Sequence, residues 1–578
     1  MQYTSSSVSP RIKILLYGTI IFFAAIIGRL IYLQITLTAH LTQRSTQNCL
    51  RTVASFSPRG NILDRSGTLL ATNRPVMQLY WQGTGSYFFT PEHEAIIADL
   101  EKILLLPIGH GDVYRNIKRA ERHYKQQQIA HDITFEQLSK LEERFPNHPN
   151  LYIKTDFQRM YPHGSLASHI VGYLGNSIDH QLHGKMGLEQ ICEQYLKGQQ
   201  GLILATVNSV GRTLTQKEIQ AAQEGQHIQT TIDIPLQKLC ERVFPEEYAG
   251  AMIIMHPTKG DILAVVSRPI FNPTLFLSPI KREHWDTMQL DQPFINRAFN
   301  ASYPPGSIFK LITVSAALEH DIITPQSTWH CNGFITYANR RVWCHNKHGH
   351  GILSTLQAVA HSCNIICYDI GKKIDVDILA HYARMFGLGQ KTNIPFPEQA
   401  GLVPTRGWKR AMHRQPWWPG ETLSVSIGQS FLLVTPIQVA AMISSIFTGS
   451  LPTPRILIAE PIQHKPLPIT PETRTVLQES MRLVVTTGTG KQVNTIKDYT
   501  IFAKTSTAQT SSLDKRSLGN KYLEHGWFVA YIQYKDTPPL TIVIIAEHSG
   551  TSKAATTIAK NFLLEYKKKI DQDGHIVS

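Results

Sequence analysis

Long hydrophobic runs are almost missing from these 578 residues: residues 14–37 could cross a bilayer as one helix, and no later stretch qualifies. Such a crossing needs about 20 apolar residues. A bundle of membrane-spanning helices is thereby excluded. Charge is also thin, at 17% of residues against 42% hydrophobic, which excludes a disordered chain and supplies a large core. The 57 basic residues outnumber the 43 acidic ones, for a net charge of +14. They are scattered and form no nucleic-acid-binding motif, so no nucleic acid is expected as a partner. Cysteine occurs seven times, an odd number that argues against a complete disulfide framework. There is no internal repeat and no low-complexity tract. The length predicts two or three domains.

The apolar run indicates where the rest of the chain works. Arg11 and Lys13 precede it, which puts residues 1–13 in the cytoplasm and everything after residue 37 outside. Ile26-Ile27-Gly28-Arg29-Leu30 holds no small-residue cleavage site, so the run reads as an uncleaved anchor rather than a signal peptide. Arg29 within it must snorkel or meet a partner helix.

Residues 55–224 read as short, mixed elements: strand and turn around Gly60 and Gly67, then amphipathic helices between Thr90 and Arg144. The composition changes after Gly225. Residues 229–233 read as a strand, and Asp233 as the N-cap of a helix opened by Ile234-Pro235. Residues 251–255 and 262–266 predict a hairpin, as do 527–532 and 540–546. A helix over 553–569 follows. Hairpins at both ends with helices between them predict an α+β layer structure.

Three strings carry chemistry. Tyr303-Pro304-Pro305-Gly306-Ser307-Ile308-Phe309-Lys310 forces a turn and opens an apolar helical pattern to about Glu319. Ser307 then stands at a helix N-terminus with Lys310 on the same face. A serine becomes a good nucleophile when a neighbouring amine, kept neutral by burial and cationic neighbours, takes its proton. Taken alone, the pair fits a capping serine on a solvated helix better. Ser362-Cys363-Asn364 adds a hydroxyl to relay a proton and an amide to hold a substrate. Lys504-Thr505-Ser506-Thr507, on a strand edge, adds a cation and hydroxyls for a carboxylate. Separately, Cys331, Cys344 and Cys363, with His345, His348 and His350 among them, offer three thiolates and an imidazole, the donor set of a tetrahedral structural zinc. A Cys331–Cys344 disulfide is the alternative.

In order and content the strings resemble the Ser-x-x-Lys, Ser-x-Asn and Lys-Thr-Gly set of penicillin-binding proteins and serine β-lactamases. The likeness extends over nearly the whole chain. Arg59-Gly60-Asn61-Ile62-Leu63-Asp64-Arg65-Ser66-Gly67, Thr231-Ile232-Asp233-Ile234-Pro235-Leu236-Gln237, Ser426-Ile427-Gly428-Gln429-Ser430, Thr435-Pro436-Ile437-Gln438 and His525-Gly526-Trp527-Phe528-Val529-Ala530-Tyr531 resemble the class B members. Trp417-Trp418-Pro419-Gly420-Glu421-Thr422 points within them to the elongation type, penicillin-binding protein 2. One departure stands out: Ser506 occupies the position of the family's glycine, where a side chain is expected to narrow the cleft or weaken some β-lactams.

The resemblance implies an α+β fold with an N-terminal transmembrane helix, an elongated pedestal (dimerisation-type) domain at 38–228, a β-lactamase-like transpeptidase domain at 229–570 with an antiparallel sheet and flanking helices, and a tail at 571–578. It implies a peptidoglycan D,D-transpeptidase of cell-wall elongation and shape maintenance, in the inner membrane, with its catalytic domain in the periplasm. Ser307 would attack the carbonyl between two D-alanines, with Lys310 as base. Ser362 would pass the proton to the leaving amine, Lys504 setting its charge, and Asn364 would hold the donor peptide. Thr505 and Thr507 would grip the carboxylate with Lys504, Ser506 lining the same strand. The N–H groups of Ser307 and Thr507 would meet the oxyanion. No cofactor is expected for catalysis. By the same resemblance Cys331, Cys344, His350 and Cys363 would hold a structural Zn2+, His350 being preferred to His348. Expected partners are stem peptides, lipid-linked precursors, β-lactams, a SEDS-family glycosyltransferase and a shape-determining complex. Two alternatives remain. The first is a D,D-carboxypeptidase or β-lactamase-type hydrolase, of which a dedicated β-lactamase would not need the long stretch before residue 229. The second is non-catalytic: a scaffold would not need the complete residue set, and a β-lactam sensor would need a cytoplasmic signalling part, where residues 1–13 alone are expected inside.

Overall fold

The computed structural model describes residues 9–573 apart from 56, 177–181, 209–212, 279, 281 and 511–516. The expected tails at 1–13 and 571–578 thus lie partly outside the described residues. Helix α1, Pro10–Ile31, carries proline in its first turn, where its missing N–H costs nothing. It runs on through a π turn at Tyr32–Thr36, and within this 27-residue stretch an 18-residue window reaches a mean hydropathy of 2.2 with no residue buried. At 1.5 Å per residue it is about 40 Å long, enough to span a bilayer. The helical path begins earlier than residue 14 and does not end at 37, since polar Thr38–Cys49 is helical again. Among the described residues no other helix is long and apolar enough to cross a membrane.

The chain forms two compact units, and they do not follow a single cut in the sequence: 1–59, 73–158 and 197–225 make one, and 60–72, 159–196 and 226–578 the other. Within the first, Leu50–Ser55, Gly201–Val207 and Thr213–Gln220 form an antiparallel sheet. The helices Pro91–Leu104, Gly111–Arg122 and Phe135–Arg144 close over a core of Leu79, Trp81, Leu100, Ile117 and Leu141. Thr90 and Thr134 start the first and third of these helices with capping boxes.

Segment 60–72 joins the second unit because Ile62–Leu63 pairs in parallel with Ile228–Gln229 and adds Ile62 to that unit's core. The predicted strand over 229–233 shrinks to this short pairing, and Asp233 instead caps the helix Ile234–Val243, accepting from Leu236 N–H at 2.9 Å. The centre of this unit is a five-stranded antiparallel sheet of β1 (Gly250–Met255), β2 (Ile262–Arg268), β3 (Tyr499–Ala508), β4 (His525–Tyr534) and β5 (Leu540–Ala546), in the order β2-β1-β5-β4-β3. Both expected hairpins are present. The strands β1, β2 and β5 are buried along their whole length because both faces of the sheet are covered. Successive residues go to opposite sides: Ile253, Trp527 and Val543 enter one core, and Ile254, Phe528 and Ile544 the other. The buried helix Pro436–Thr448 belongs to the first core, and the terminal helix Lys553–Asp573 packs into the second. β3 is left as an edge strand.

Candidate active site

Pro305 and Gly306, the latter with φ of +52°, bend the chain into a short 3-10 turn at Gly306–Ile308 that leads into the helix Lys310–Glu319. The turn is fixed from several sides. Tyr303 exchanges backbone hydrogen bonds with Val434 at 2.8 and 2.9 Å, and Gly306 N–H donates to Gly428 O at 2.9 Å. Trp527 Nε1–H donates to Pro304 O at 3.1 Å. Tyr303 donates to Glu547 at 2.6 Å, and the same carboxylate accepts from Arg297 at 2.9 Å. Sequence reasoning missed Arg297 and Glu547. They lie 6 residues before and 244 after Tyr303, in no recognisable motif.

Ser307, half-buried, meets Ser362 with their hydroxyl oxygens 2.8 Å apart. The Ser362 hydroxyl also receives Lys310 Nζ at 3.2 Å and Lys504 Nζ at 3.1 Å. Lys310 donates further to Ser362 O at 2.6 Å and Asn364 Oδ1 at 2.7 Å, and Lys504 to Thr505 O at 3.0 Å. The three strings therefore converge, with one difference from the simple one-turn picture: the Ser362 hydroxyl joins Ser307 to both amines. Ser362 is held at φ of +54°, a conformation that costs a non-glycine residue about 1–2 kcal/mol. Ser362 N–H bonds Val359 O at 3.1 Å and Cys363 N–H bonds Ala358 O at 2.8 Å, which keep it there. Burial lowers the pKa of Lys310, with nearby cysteines opposing the shift. Burial, reinforced by the Lys310 charge, pushes that of Lys504 well below its usual value. Two ammonium groups across one hydroxyl repel, so the pair favours a single shared charge.

The pleat of β3 divides the third string. Lys504 and Ser506 point toward the nucleophile, and Thr505 and Thr507 toward the other face. Thr505 is buried with its hydroxyl 2.5 Å from that of Thr489, so it does not join Ser307 and Ser362. Thr507, half-exposed, accepts from Ser552 N–H at 3.2 Å. Ser506 reaches beneath Ser307.

The sulfur and nitrogen atoms of Cys331, Cys344, His350 and Cys363 all lie within 4.8 Å of one another. His350 Nδ1 is 3.5 Å from Cys331 Sγ and 3.7 Å from Cys344 Sγ, and Cys344 and Cys363 are 3.9 Å apart. Ligands about 2.3 Å from a tetrahedral zinc stand about 3.8 Å from each other, so the set fits that ion. All seven cysteines are free thiols, so the disulfide alternative is not formed. Burial lowers the pKa of His350, keeping its imidazole neutral as a ligand must be, and a hydrogen bond from Cys363 holds Cys344 low. His348 is exposed and outside the set. Cys363 lies between Ser362 and Asn364, and Asn364 N–H also points to Cys344 Sγ at 3.4 Å, so the cluster backs directly onto the relay.

A half-exposed serine coupled through a second serine to two buried amines suits acyl transfer. Comparison with known proteins agrees. Residues 250–564 match the family described as the penicillin binding protein transpeptidase domain, and residues 54–230 the penicillin-binding protein dimerisation domain. The chain is similar to a peptidoglycan D,D-transpeptidase, MrdA, of Acinetobacter baumannii, at 30% identity over 94% of this chain and 85% of that protein. In structure it resembles a penicillin-binding protein, PBP2, of Helicobacter pylori solved in complex with MreC, with a TM-score of 0.78 and 25% identity over 90% of this chain and 99% of that one. It also resembles a chain of a peptidoglycan synthase complex that coordinates polymerization and crosslinking, with a TM-score of 0.75 and 29% identity over 97% and 98% of the two chains.

Proposed function

The chain belongs to the penicillin-binding proteins that join a dimerisation domain to a transpeptidase domain, and from that membership we propose that it is the serine D,D-transpeptidase that cross-links peptidoglycan during cell-wall elongation, with Ser307 as its nucleophile. The observation that carries this is the Ser362 hydroxyl, within hydrogen-bonding distance of Ser307, Lys310 and Lys504 at once.

Ser307 attacks the carbonyl joining the last two D-alanines of a stem peptide. Its proton passes through Ser362 to Lys310, whose pKa is lowered by burial. Ser362 returns a proton to the departing D-alanine amine, and Lys504 governs the charge of the relay. The acyl group then moves from Ser307 to an amine of a neighbouring stem. Asn364, tied to Lys310 and to Trp343 O at 3.3 Å, offers its amide to the donor peptide. Thr507 is the accessible hydroxyl of the third string for the carboxylate. A structural Zn2+ held by Cys331, Cys344, His350 and Cys363 would supply the cross-link that steadies the loop of Ser362 and Asn364.

The apolar helix α1 anchors the protein, with Arg11 and Lys13 supporting a cytoplasmic N-terminus and a periplasmic catalytic unit. The relatives solved with MreC and in a polymerizing synthase support a shape-determining protein and a membrane glycan polymerase as partners. Full-length protein incubated with a pentapeptide stem and an amine acceptor should release D-alanine and form the cross-linked product in wild type, and neither in Ser307→Ala. Equal D-alanine release by the two proteins would refute the assignment. Release without a cross-linked product would favour the hydrolytic alternative.

A further inference from the structure

Ser506 stands where the family carries glycine, and its side chain is 2% exposed. Its hydroxyl is wedged beneath the nucleophile turn. The oxygen accepts from the Ser307 backbone N–H at 2.7 Å, and its hydrogen goes to Pro305 O at 2.8 Å. The fit depends on Gly306, where a Cβ would collide with Ser506 Oγ. One strand over, the register partner Trp527 holds Pro304 O, so adjoining strands grip two successive carbonyls of the turn.

When a serine attacks a carbonyl, the developing oxyanion is stabilised by N–H donors already in place, the nucleophile's own backbone N–H among them. That group has one hydrogen, and here it is aimed at Ser506 Oγ. We infer that Ser506 is a specificity-determining residue: its hydroxyl occupies the nucleophile's oxyanion donor, and acylation requires it to give way. This rests on the reading of Ser307 as nucleophile. Rotating the hydroxyl aside breaks its bonds to both Ser307 and Pro305 inside a buried pocket. A stem peptide lying along the edge strand β3 makes many contacts that can offset the loss. A compact acylating agent such as a penicillin makes few, and is disfavoured.

The test is stopped-flow acylation of the full-length protein in detergent by a fluorescent penicillin, resolving the noncovalent Kd from the first-order acylation constant. Melting temperatures are measured alongside. Ser506→Ala keeps Cβ and removes the hydroxyl. It should raise the acylation constant, by up to the roughly 10²–10³-fold that one oxyanion donor is worth, while Kd stays nearly constant and the melting temperature falls as Pro305 O loses its donor. Ser506→Gly should give the same acceleration. Should the alanine variant not fold, Ser506→Cys keeps the bulk and accepts only weakly, and should also accelerate acylation. Unchanged or slower acylation in the folded variants would overturn the inference and leave Ser506 as a clamp on the turn. Acceleration by glycine alone would overturn it in favour of simple bulk. Equal labelling of wild type and Ser307→Ala is a different failure, that of the nucleophile itself.

Discussion

Ser362 is more central than its place in a short string suggests, since its hydroxyl meets Ser307, Lys310 and Lys504 at once, and in the proposed mechanism the proton of Ser307 reaches either lysine through it. Ser362→Ala is expected to slow acylation by about 10²–10⁴-fold, the usual worth of a proton-transfer group, with the protein still folded by circular dichroism. The base form of Lys310 is the neutral amine, and its pKa is lowered by burial. The acylation rate should therefore rise with pH along a limb lying below the range of a free lysine, a limb absent from Lys310→Ala. The five polar residues of this cluster were legible in the sequence because their types are unusual together and each string is locally spaced. The partner of Ser506 was not, because the nucleophile's N–H lies 199 residues away in the chain. The burial of Thr505 beside the half-exposed Thr507 was not legible for a different reason. Strand geometry and burial, invisible in a four-letter string, turn Thr505 onto Thr489.

Elements were legible where their own apolar pattern dictates them. The strands β1 and β5 are mostly branched and aliphatic and were read as hairpin strands, whereas the helix Pro436–Thr448, opened by a Thr435–Gln438 capping box, went unread as a helix. Removing that cap with Thr435→Ala should cost about 1 kcal/mol in urea unfolding. The strand Gln126–Ala130 was not legible: three glutamines show no alternation, and the pairing is provided by Leu69–Gln82. The strands Thr328–Cys331 and Gly351–Ser354 carry Cys331 and flank His350, so the proposed zinc ties them to the Ser362 loop. Cys331→Ser should lose bound zinc by atomic emission, melt at lower temperature and acylate more slowly. Full activity and unchanged stability in zinc-free wild type would contradict that.

Across the whole chain, the interleaving of the two compact units was beyond the sequence, because it rests on Ile62 pairing beside Ile228, far along the chain. Burial lowers both His169 and His525 to about 4 from an ordinary 6.5. His169 is flanked by Arg268 and Arg297, and His525 by His548 and Glu547. Between those values the unfolded chain binds more protons than the folded one, so stability should fall as pH drops from 6.5 toward 4. His525→Asn, which can still accept the His548 N–H, should flatten part of that slope in urea titrations at successive pH values. The anchor, the sheet and the relay all serve one covalent event, and intact-mass analysis with peptide mapping after penicillin treatment of the full-length protein reads it. The account predicts one acyl adduct per chain, on the peptide containing Ser307 and absent from Ser307→Ala. An adduct on any other residue, or one that survives that substitution, would contradict it.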